Sequence, residues 1–119
     1  MSRRVLVIDD DEALCQLLVQ MLTDLKCDVE CETSPLRAVE RVAQTKPDLV
    51  LLDIRMPRMS GLDVLQKIQA AGARVPVVMI TGHADLKTAK RAMRAGAYDY
   101  ITKPFDIDVL RSILTDYVA

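Results

Sequence analysis

Residues 49–53 read Leu-Val-Leu-Leu-Asp, an unbroken apolar run that ends in a carboxylate. Such a run is typical of a strand buried on both faces, because a half-exposed strand alternates apolar and polar residues. A second run, residues 5–8, ends in Asp9 and Asp10, and a third spans residues 75–80. The sequence therefore predicts a sheet with a buried centre, and it places acids where two of the central strands end.

Helical patterns fill the segments between the predicted strands, with apolar residues three or four positions apart. Strand-like and helix-like segments alternate five times, which predicts a parallel sheet covered by helices on both faces. The strand patterns at residues 29–33 and 98–101 alternate, as edge strands do. We therefore expect an α/β fold, a doubly wound five-stranded parallel sheet in the order 2-1-3-4-5 with five helices.

Length and composition indicate one domain over residues 1–119, with half of the residues apolar and a formal net charge of −1. That charge argues against nucleic-acid binding, and the absence of a signal segment or a long apolar stretch favours a cytoplasmic protein away from the membrane. Cys15, Cys27 and Cys31 have no metal-type spacing. We interpret them as small buried side chains in a reducing compartment rather than as metal or redox groups.

The predicted strand order reverses between the first and third strands, and ligands bind at the carboxyl ends of the strands beside such a point. Asp9, Asp10 and Asp53 would converge there. Three carboxylates in one crevice disfavour joint ionisation, which a divalent cation with a preference for oxygen ligands relieves. Thr81 and Lys103 follow the fourth and fifth strands and would add a hydroxyl and a cation at the same edge.

With these residues in place, the chain resembles the response-regulator receiver domains of bacterial two-component signalling over essentially its full length. The motifs that carry the resemblance are residues 7–11, residues 52–57 with Gly61, residues 80–82, and residues 95–97 through Lys103-Pro104-Phe105. It implies a flavodoxin-like fold and a cis Lys103-Pro104 bond. Residues 80–83 and 96–105 look most like receivers fused to ATPase-type transcription activators, so residues 1–119 could be the N-terminal part of a longer regulator.

The resemblance also implies a chemistry. Asp53 would accept a phosphoryl group from the phosphohistidine of a sensor histidine kinase. Mg²⁺ would be the cofactor, bound directly by Asp10, through water by Asp9, and also by Asp53 and the backbone carbonyl of Arg55. The domain would catalyse only its own phosphorylation and dephosphorylation, and would not be a turnover enzyme.

The switch would involve residues beyond the acceptor. Lys103 would contact the acids and the phosphoryl group, Thr81 would move to hydrogen-bond a phosphoryl oxygen, and Tyr100 would change rotamer with it. These movements would remodel the surface of helix four, strand five and helix five, which would control an output domain or partner and could form a homodimer. Arg55 and His83 could flank the phosphoryl group and set its lifetime, although His83 alone reads as a solvated loop residue.

A basic stripe lies on the predicted fourth helix and is interpreted as a solvated face. The alternative is a docking site for an acidic partner or a second copy of the chain. The stripe consists of Lys87, Lys90, Arg91 and Arg94.

Two other functions fit parts of the sequence less well. A phosphatase with an aspartyl-phosphate intermediate fits Asp9-Asp10-Asp11, but Ala13 stands where that family usually has Thr or Val. A flavin-binding module would need a hydroxyl-rich loop where this chain has acids.

Overall fold

The computed structural model describes residues 3–118, except for the side chain of His83. Its sheet has five parallel strands in the spatial order β2-β1-β3-β4-β5, which confirms the predicted topology. The strands are β1 (Arg3–Ile8), β2 (Cys27–Glu32), β3 (Leu49–Asp53), β4 (Val77–Thr81) and β5 (Asp99–Thr102).

Helices connect successive strands and cover both faces of the sheet. They are α1 (Glu12–Asp24), α2 (Ala38–Thr45), α3 (Gly61–Ala70), α4 (Leu86–Arg94) and α5 (Ile107–Tyr117). Short 3₁₀ turns, Pro35–Arg37 and His83–Asp85, precede α2 and α4. Within residues 3–118, no helix combines the length and the apolar character that a bilayer crossing requires.

The hydrophobic core consists of two clusters, one on each side of the sheet. Val50 and Leu52 of β3 face the cluster under α2, α3 and α4, whereas Leu49 and Leu51 face the cluster under α1 and α5. All four side chains are fully buried. This arrangement explains the unbroken apolar run, because every position of a central strand needs an apolar side chain when both faces are covered.

In the sequence, Ser34-Pro35 predicts a helix start with a capping hydroxyl and a proline in the first turn, but the start of α2 differs. The Ser34 side chain makes no capping hydrogen bond, and the Ser34 backbone N–H instead donates to the Glu32 carboxylate at 2.9 Å. The following residues form a 3₁₀ turn, so the regular helix begins only at Ala38. The apolar spacing of Leu36, Val39 and Val42 predicts Leu36 on the buried stripe of this helix, but Leu36 is 58% exposed as a result of the later start.

The structure contradicts the interpretation of Cys15 and Cys31 as small buried side chains without a redox role. Cys15 in the first turn of α1 and Cys31 in β2 are joined as a disulfide, with their Cα atoms 6.1 Å apart. Cys27 is the free cysteine and is buried. The pairing could not be predicted from spacing, because it depends on how α1 packs against β2.

Tyr98, just before β5, and Tyr117 of α5 form a small aromatic contact at the edge of the sheet. The rings of Tyr98 and Tyr117 meet edge to face with centroids 5.8 Å apart. The Tyr117 hydroxyl donates to the Asp99 carboxylate at 2.8 Å. This hydrogen bond to a carboxylate, together with burial and the negative charge of Asp99, raises the pKa of Tyr117 to about 12.

Candidate functional site

The strand register brings the ends of β1 and β3 together. Ile8 lies opposite Leu52, so the residues that follow them, Asp9 and Asp53, meet at the carboxyl edge of the sheet. The backbone N–H of Ile54 continues the ladder by donating to the Ile80 carbonyl at 3.0 Å. The site therefore lies at the predicted reversal of strand order.

Asp9, Asp10 and Asp53 form one acidic cluster. Each can offer a carboxylate oxygen such that the three oxygens lie within 4.8 Å of one another. Asp9 is fully buried and Asp53 is 5% exposed, whereas Asp10 faces solvent. Oxygen ligands at this spacing, open to solvent on one side, could hold a hard divalent cation that keeps some of its water.

Asp9 is the most perturbed acid of the cluster. Its Oδ1 accepts the backbone N–H of Asp11 at 3.0 Å, whereas its buried Oδ2 has no hydrogen-bond partner among the described residues. Burial raises the pKa of Asp9 to about 6, and the charges of Asp53 and Asp10 act in the same direction. A buried carboxylate oxygen without a partner fits a metal ligand, because an isolated buried charge is costly.

Asp53 faces a single cation among the described residues. The Lys103 ammonium lies 3.4 Å from its Oδ1, and the Lys103 side chain is 38% exposed. Burial raises the pKa of Asp53, and the opposing charge of Lys103 and its hydrogen bond offset only part of that effect. The carboxylate is thus held at the mouth of the crevice with a cation at its side.

Thr81 and Lys103 are connected through the backbone. The backbone N–H of Lys103 donates to the Thr81 carbonyl at 2.8 Å, and Thr81 pairs in register with Thr102. The Thr81 side chain is buried, and its hydroxyl donates to the Gly82 carbonyl at 3.0 Å. The Lys103-Pro104 bond is cis, as the resemblance implies.

Gly61 lies against the backbone at the end of β3, a contact that the sequence motif alone did not reveal. Its backbone N–H donates to the Ile54 carbonyl at 2.7 Å. A Cβ at this position would lie 2.3 Å from the Asp53 carbonyl oxygen and 2.8 Å from the Ile54 Cα. Only glycine fits here without moving the backbone of Asp53.

Arg55 is exposed, and its guanidinium contacts the Asp85 carboxylate at 2.9 Å. This ion pair joins the loop after β3 to the 3₁₀ turn before α4. The sequence did not point to Asp85, since thirty residues separate the partners and no motif connects them. The predicted role of the His83 side chain falls outside the described part of the structure.

The remaining predicted residues lie away from the acids. Tyr100 is half-buried, pairs in register with Met79 and packs against the core under α4. The basic stripe on α4 is solvent-exposed along its length, as the sequence predicted; it comprises Lys87, Lys90, Arg91 and Arg94. The structure therefore brings together the acids with Lys103, and places Thr81 and Arg55 at the edge of the same crevice.

Comparison with known proteins assigns this chain to a family. The family model for the response regulator receiver domain matches residues 5–115, and the chain belongs to that family. It is a receiver domain of the response regulators of two-component systems. The crystal structure of a receiver domain protein from Clostridium thermocellum superposes with a TM-score of 0.92 at 29% identity, covering 98% of this chain and 94% of that one.

Individual relatives are regulators longer than this chain. The regulatory protein AtoC of Escherichia coli is 36% identical over 93% of this chain, which spans 24% of AtoC. The response regulator TmoT of Ectopseudomonas mendocina is 38% identical over 93% of this chain, which spans 51% of TmoT. The crystal structure of NtrX from Brucella abortus, also solved with ATP, has a TM-score of 0.91 at 34% identity and covers 99% of this chain, which spans 27% of NtrX.

Proposed function

We propose that this domain is a phosphorylation-dependent switch with Asp53 as the acceptor. The observation that carries the proposal is the convergence of Asp9, Asp10 and Asp53 within 4.8 Å beside a lysine ammonium. In the transfer, an Asp53 oxygen attacks the phosphorus of a kinase phosphohistidine. The oxygen–phosphorus bond forms as the nitrogen–phosphorus bond breaks, and the imidazole leaves with the electron pair.

The acidic cluster fits Mg²⁺, which neutralises phosphoryl charge when it is bound. Asp9, Asp10, Asp53 and the backbone carbonyl of Arg55 would hold the ion. The unpartnered Oδ2 of Asp9 and the mutual repulsion of the acids support this assignment.

Lys103 and Thr81 supply the remaining contacts to the phosphoryl group. Lys103 already contacts Asp53 and needs little movement to bind a phosphoryl oxygen. The Thr81 hydroxyl must exchange its bond to the Gly82 carbonyl for one to the phosphoryl group. Because Thr81 and Lys103 share a backbone hydrogen bond, the two contacts stabilise the same state of β4 and β5.

Phosphorylation would change the surface formed by α4, β5 and α5, and Tyr100 would change rotamer as part of this change. This surface would control an output domain, a partner or a homodimer. A relative named as the transcriptional regulatory protein ZraR of Escherichia coli, 36% identical over 97% of this chain, favours transcriptional control. The partner upstream would be a sensor histidine kinase, in the cytoplasm. Residues 1–119 would form the receiver domain of a longer regulator, without enzymatic turnover of its own and without direct contact to nucleic acid.

Intact mass spectrometry after incubation with acetyl phosphate and Mg²⁺ tests the acceptor. We expect wild type to gain one labile phosphoryl group, only with Mg²⁺, and Asp53→Asn to gain none. Asp63→Asn, an exposed acid in the first turn of α3, is the matched control and should be phosphorylated like wild type. A phosphorylated Asp53→Asn protein, or a wild type that accepts from neither acetyl phosphate nor a phosphorylated kinase, would overturn the proposal.

A further inference from the structure

The disulfide-bonded residues Cys15 and Cys31 lie beside Asp9 and Asp10, the two acids of the cluster that follow β1. Cys31 pairs in register with Val7 of β1, and the next residue, Glu32, accepts the Asp9 backbone N–H at 3.1 Å through its carbonyl. Cys15 lies in the first turn of α1, after the acidic turn that contains Asp10. The pair therefore joins α1, which follows the turn of Asp9 and Asp10, to β2, which is hydrogen-bonded to β1 beside that turn.

The Cα separation of Cys15 and Cys31 is one that a disulfide can span. The Cα atoms of Cys15 and Cys31 are 6.1 Å apart, within the range of about 4.4–6.8 Å that disulfides occupy. Cys31 is partly exposed, whereas Cys15 is buried. Cys31 is therefore the cysteine of the pair that an oxidant would reach first, and Cys15 is close enough to complete the bond.

The Cys15 sulfur also contacts the turn of Asp9 and Asp10. It lies 3.4 Å from the Asp9 carbonyl oxygen, within the distance of a weak hydrogen bond that a Cys15 S–H group would donate there in the reduced protein. A disulfide sulfur has no hydrogen to donate. Oxidation therefore leaves the Asp9 carbonyl facing sulfur lone pairs, and this removes a contact that orients the backbone of Asp9.

We propose that Cys15 and Cys31 form a reversible redox site, oxidised by a peroxide, whose disulfide state binds Mg²⁺ more weakly at Asp9 and Asp10 than the dithiol state does. The disulfide itself is independent of the switch function, whereas its effect on Mg²⁺ rests on the proposed function. The site would make phosphorylation of the domain sensitive to oxidation.

The chemistry balances in two steps. The Cys31 sulfur attacks a peroxide oxygen, so that an S–O bond forms, the O–O bond breaks, and water leaves with the thiol proton. The Cys15 sulfur then attacks the Cys31 sulfur; the S–S bond forms, the S–O bond breaks, and a second water leaves. Two thiols lose two electrons in total, and one hydrogen peroxide becomes two waters.

Cys27 provides an internal control for reactivity. It lies on the same strand as Cys31 but four residues away, roughly 13 Å along β2, too far to bridge. It is buried, and burial raises the pKa of the Cys27 thiol. Cys27 should therefore stay reduced under conditions that oxidise the pair.

The first measurement treats the folded protein with or without hydrogen peroxide and then counts thiols after unfolding in denaturant, alongside intact mass. We expect three thiols in reduced wild type and one after oxidation, with a loss of two hydrogens and recovery by dithiothreitol. Cys27→Ser should fall from two thiols to none, whereas Cys31→Ser should form no internal disulfide. Three thiols remaining in peroxide-treated wild type, or a disulfide that includes Cys27, would overturn the redox site.

The second measurement titrates Mg²⁺ and follows the backbone amide NMR signals of residues 9–12 in both redox states. We expect the oxidised protein to need about threefold more Mg²⁺ at the midpoint, the size of effect that one weak hydrogen bond has. Cys31→Ser should keep the reduced midpoint after peroxide treatment. Equal midpoints in the two states defeat the coupling, and a reduced protein that binds no Mg²⁺ defeats both the coupling and the metal assignment while leaving the thiol result intact.

Discussion

Asp9 shows how one buried side chain links the site to stability. Its pKa of about 6 in the folded protein exceeds the ordinary value of 3.8, because burial and neighbouring acids disfavour the charge. The folded state therefore retains a proton that the unfolded chain has released. The contribution of the Asp9 carboxyl to the free energy of unfolding is largest below pH 4 and is lost as the pH rises through about 6.

We predict that, without divalent ions, Asp9→Asn is more stable than wild type at pH 7.5 by about 1–3 kcal/mol. The difference should shrink as the pH falls from about 6 to about 4, where the wild-type carboxyl is protonated. Urea unfolding at several pH values measures this difference. Asp28→Asn, an exposed acid on β2, should show no such trend, and a pH-independent advantage of Asp9→Asn would contradict the assigned cause.

Gly61 offers a second prediction at this scale. We expect Gly61→Ala to lose about 2–4 kcal/mol of unfolding free energy, because the new methyl group overlaps backbone atoms of Asp53 and Ile54 that cannot move freely. Gly82→Ala is the matched control, since nothing lies within 4 Å of its Cβ position and its φ of −88° suits alanine. Thermal or urea unfolding compares them, and equal stability of the two variants would refute the steric argument.

The convergence of the three acids could be predicted from the sequence, because a carboxylate that closes a buried apolar strand must lie at the carboxyl edge of the sheet. The Arg55–Asp85 ion pair and the Cys15–Cys31 disulfide could not. Both depend on how loops or helices pack across the fold, and neither has a local pattern. Local patterns therefore located the acids, whereas contacts between distant segments needed the structure.

At the level of elements, the strand order followed from which strands are continuously apolar and which alternate, but the residues at which elements begin did not follow from the sequence. The sequence predicts a fourth strand from Val75, whereas β4 begins at Val77. Pro76 lacks an N–H to donate, although its carbonyl accepts from Val50 at 2.9 Å. On α1, the apolar spacing places Leu17 on the buried face, but Leu17 is 50% exposed.

Helix α5 begins with a side-chain cap that can be tested alone. The Asp106 carboxylate accepts the Val109 backbone N–H at 3.1 Å. We predict that Asp106→Ala lowers the unfolding free energy by about 1 kcal/mol, and that Asp106→Ser retains most of it because a hydroxyl also caps. Chemical denaturation measures both variants, and an equally large loss in Asp106→Ser would argue against capping.

At the scale of the whole molecule, the acidic cluster makes the fold sensitive to cations. The buried carboxylates cost stability when they are unpaired, and an ion that binds only the folded state recovers it. We predict that Mg²⁺ at about a hundred times its dissociation constant raises the unfolding free energy by about 2.7 kcal/mol. The rise should nearly vanish in Asp10→Asn, as measured by urea unfolding at fixed ionic strength.

A matched control separates binding at the site from general screening. Asp63→Asn, outside the cluster, should keep the full stabilisation by Mg²⁺. An equal rise in Asp10→Asn and wild type would place the ion elsewhere on the molecule.

The contact between Tyr98 and Tyr117 has an optical consequence. The chain has no tryptophan and three tyrosines, so its near-ultraviolet absorption and emission come mainly from tyrosine. Two of the three chromophores meet where α5 packs beside β5, and one donates a hydrogen bond to a carboxylate. The intrinsic spectrum of the native protein therefore reports chiefly on the docking of its last helix, and a change in that spectrum can be read without attaching a dye.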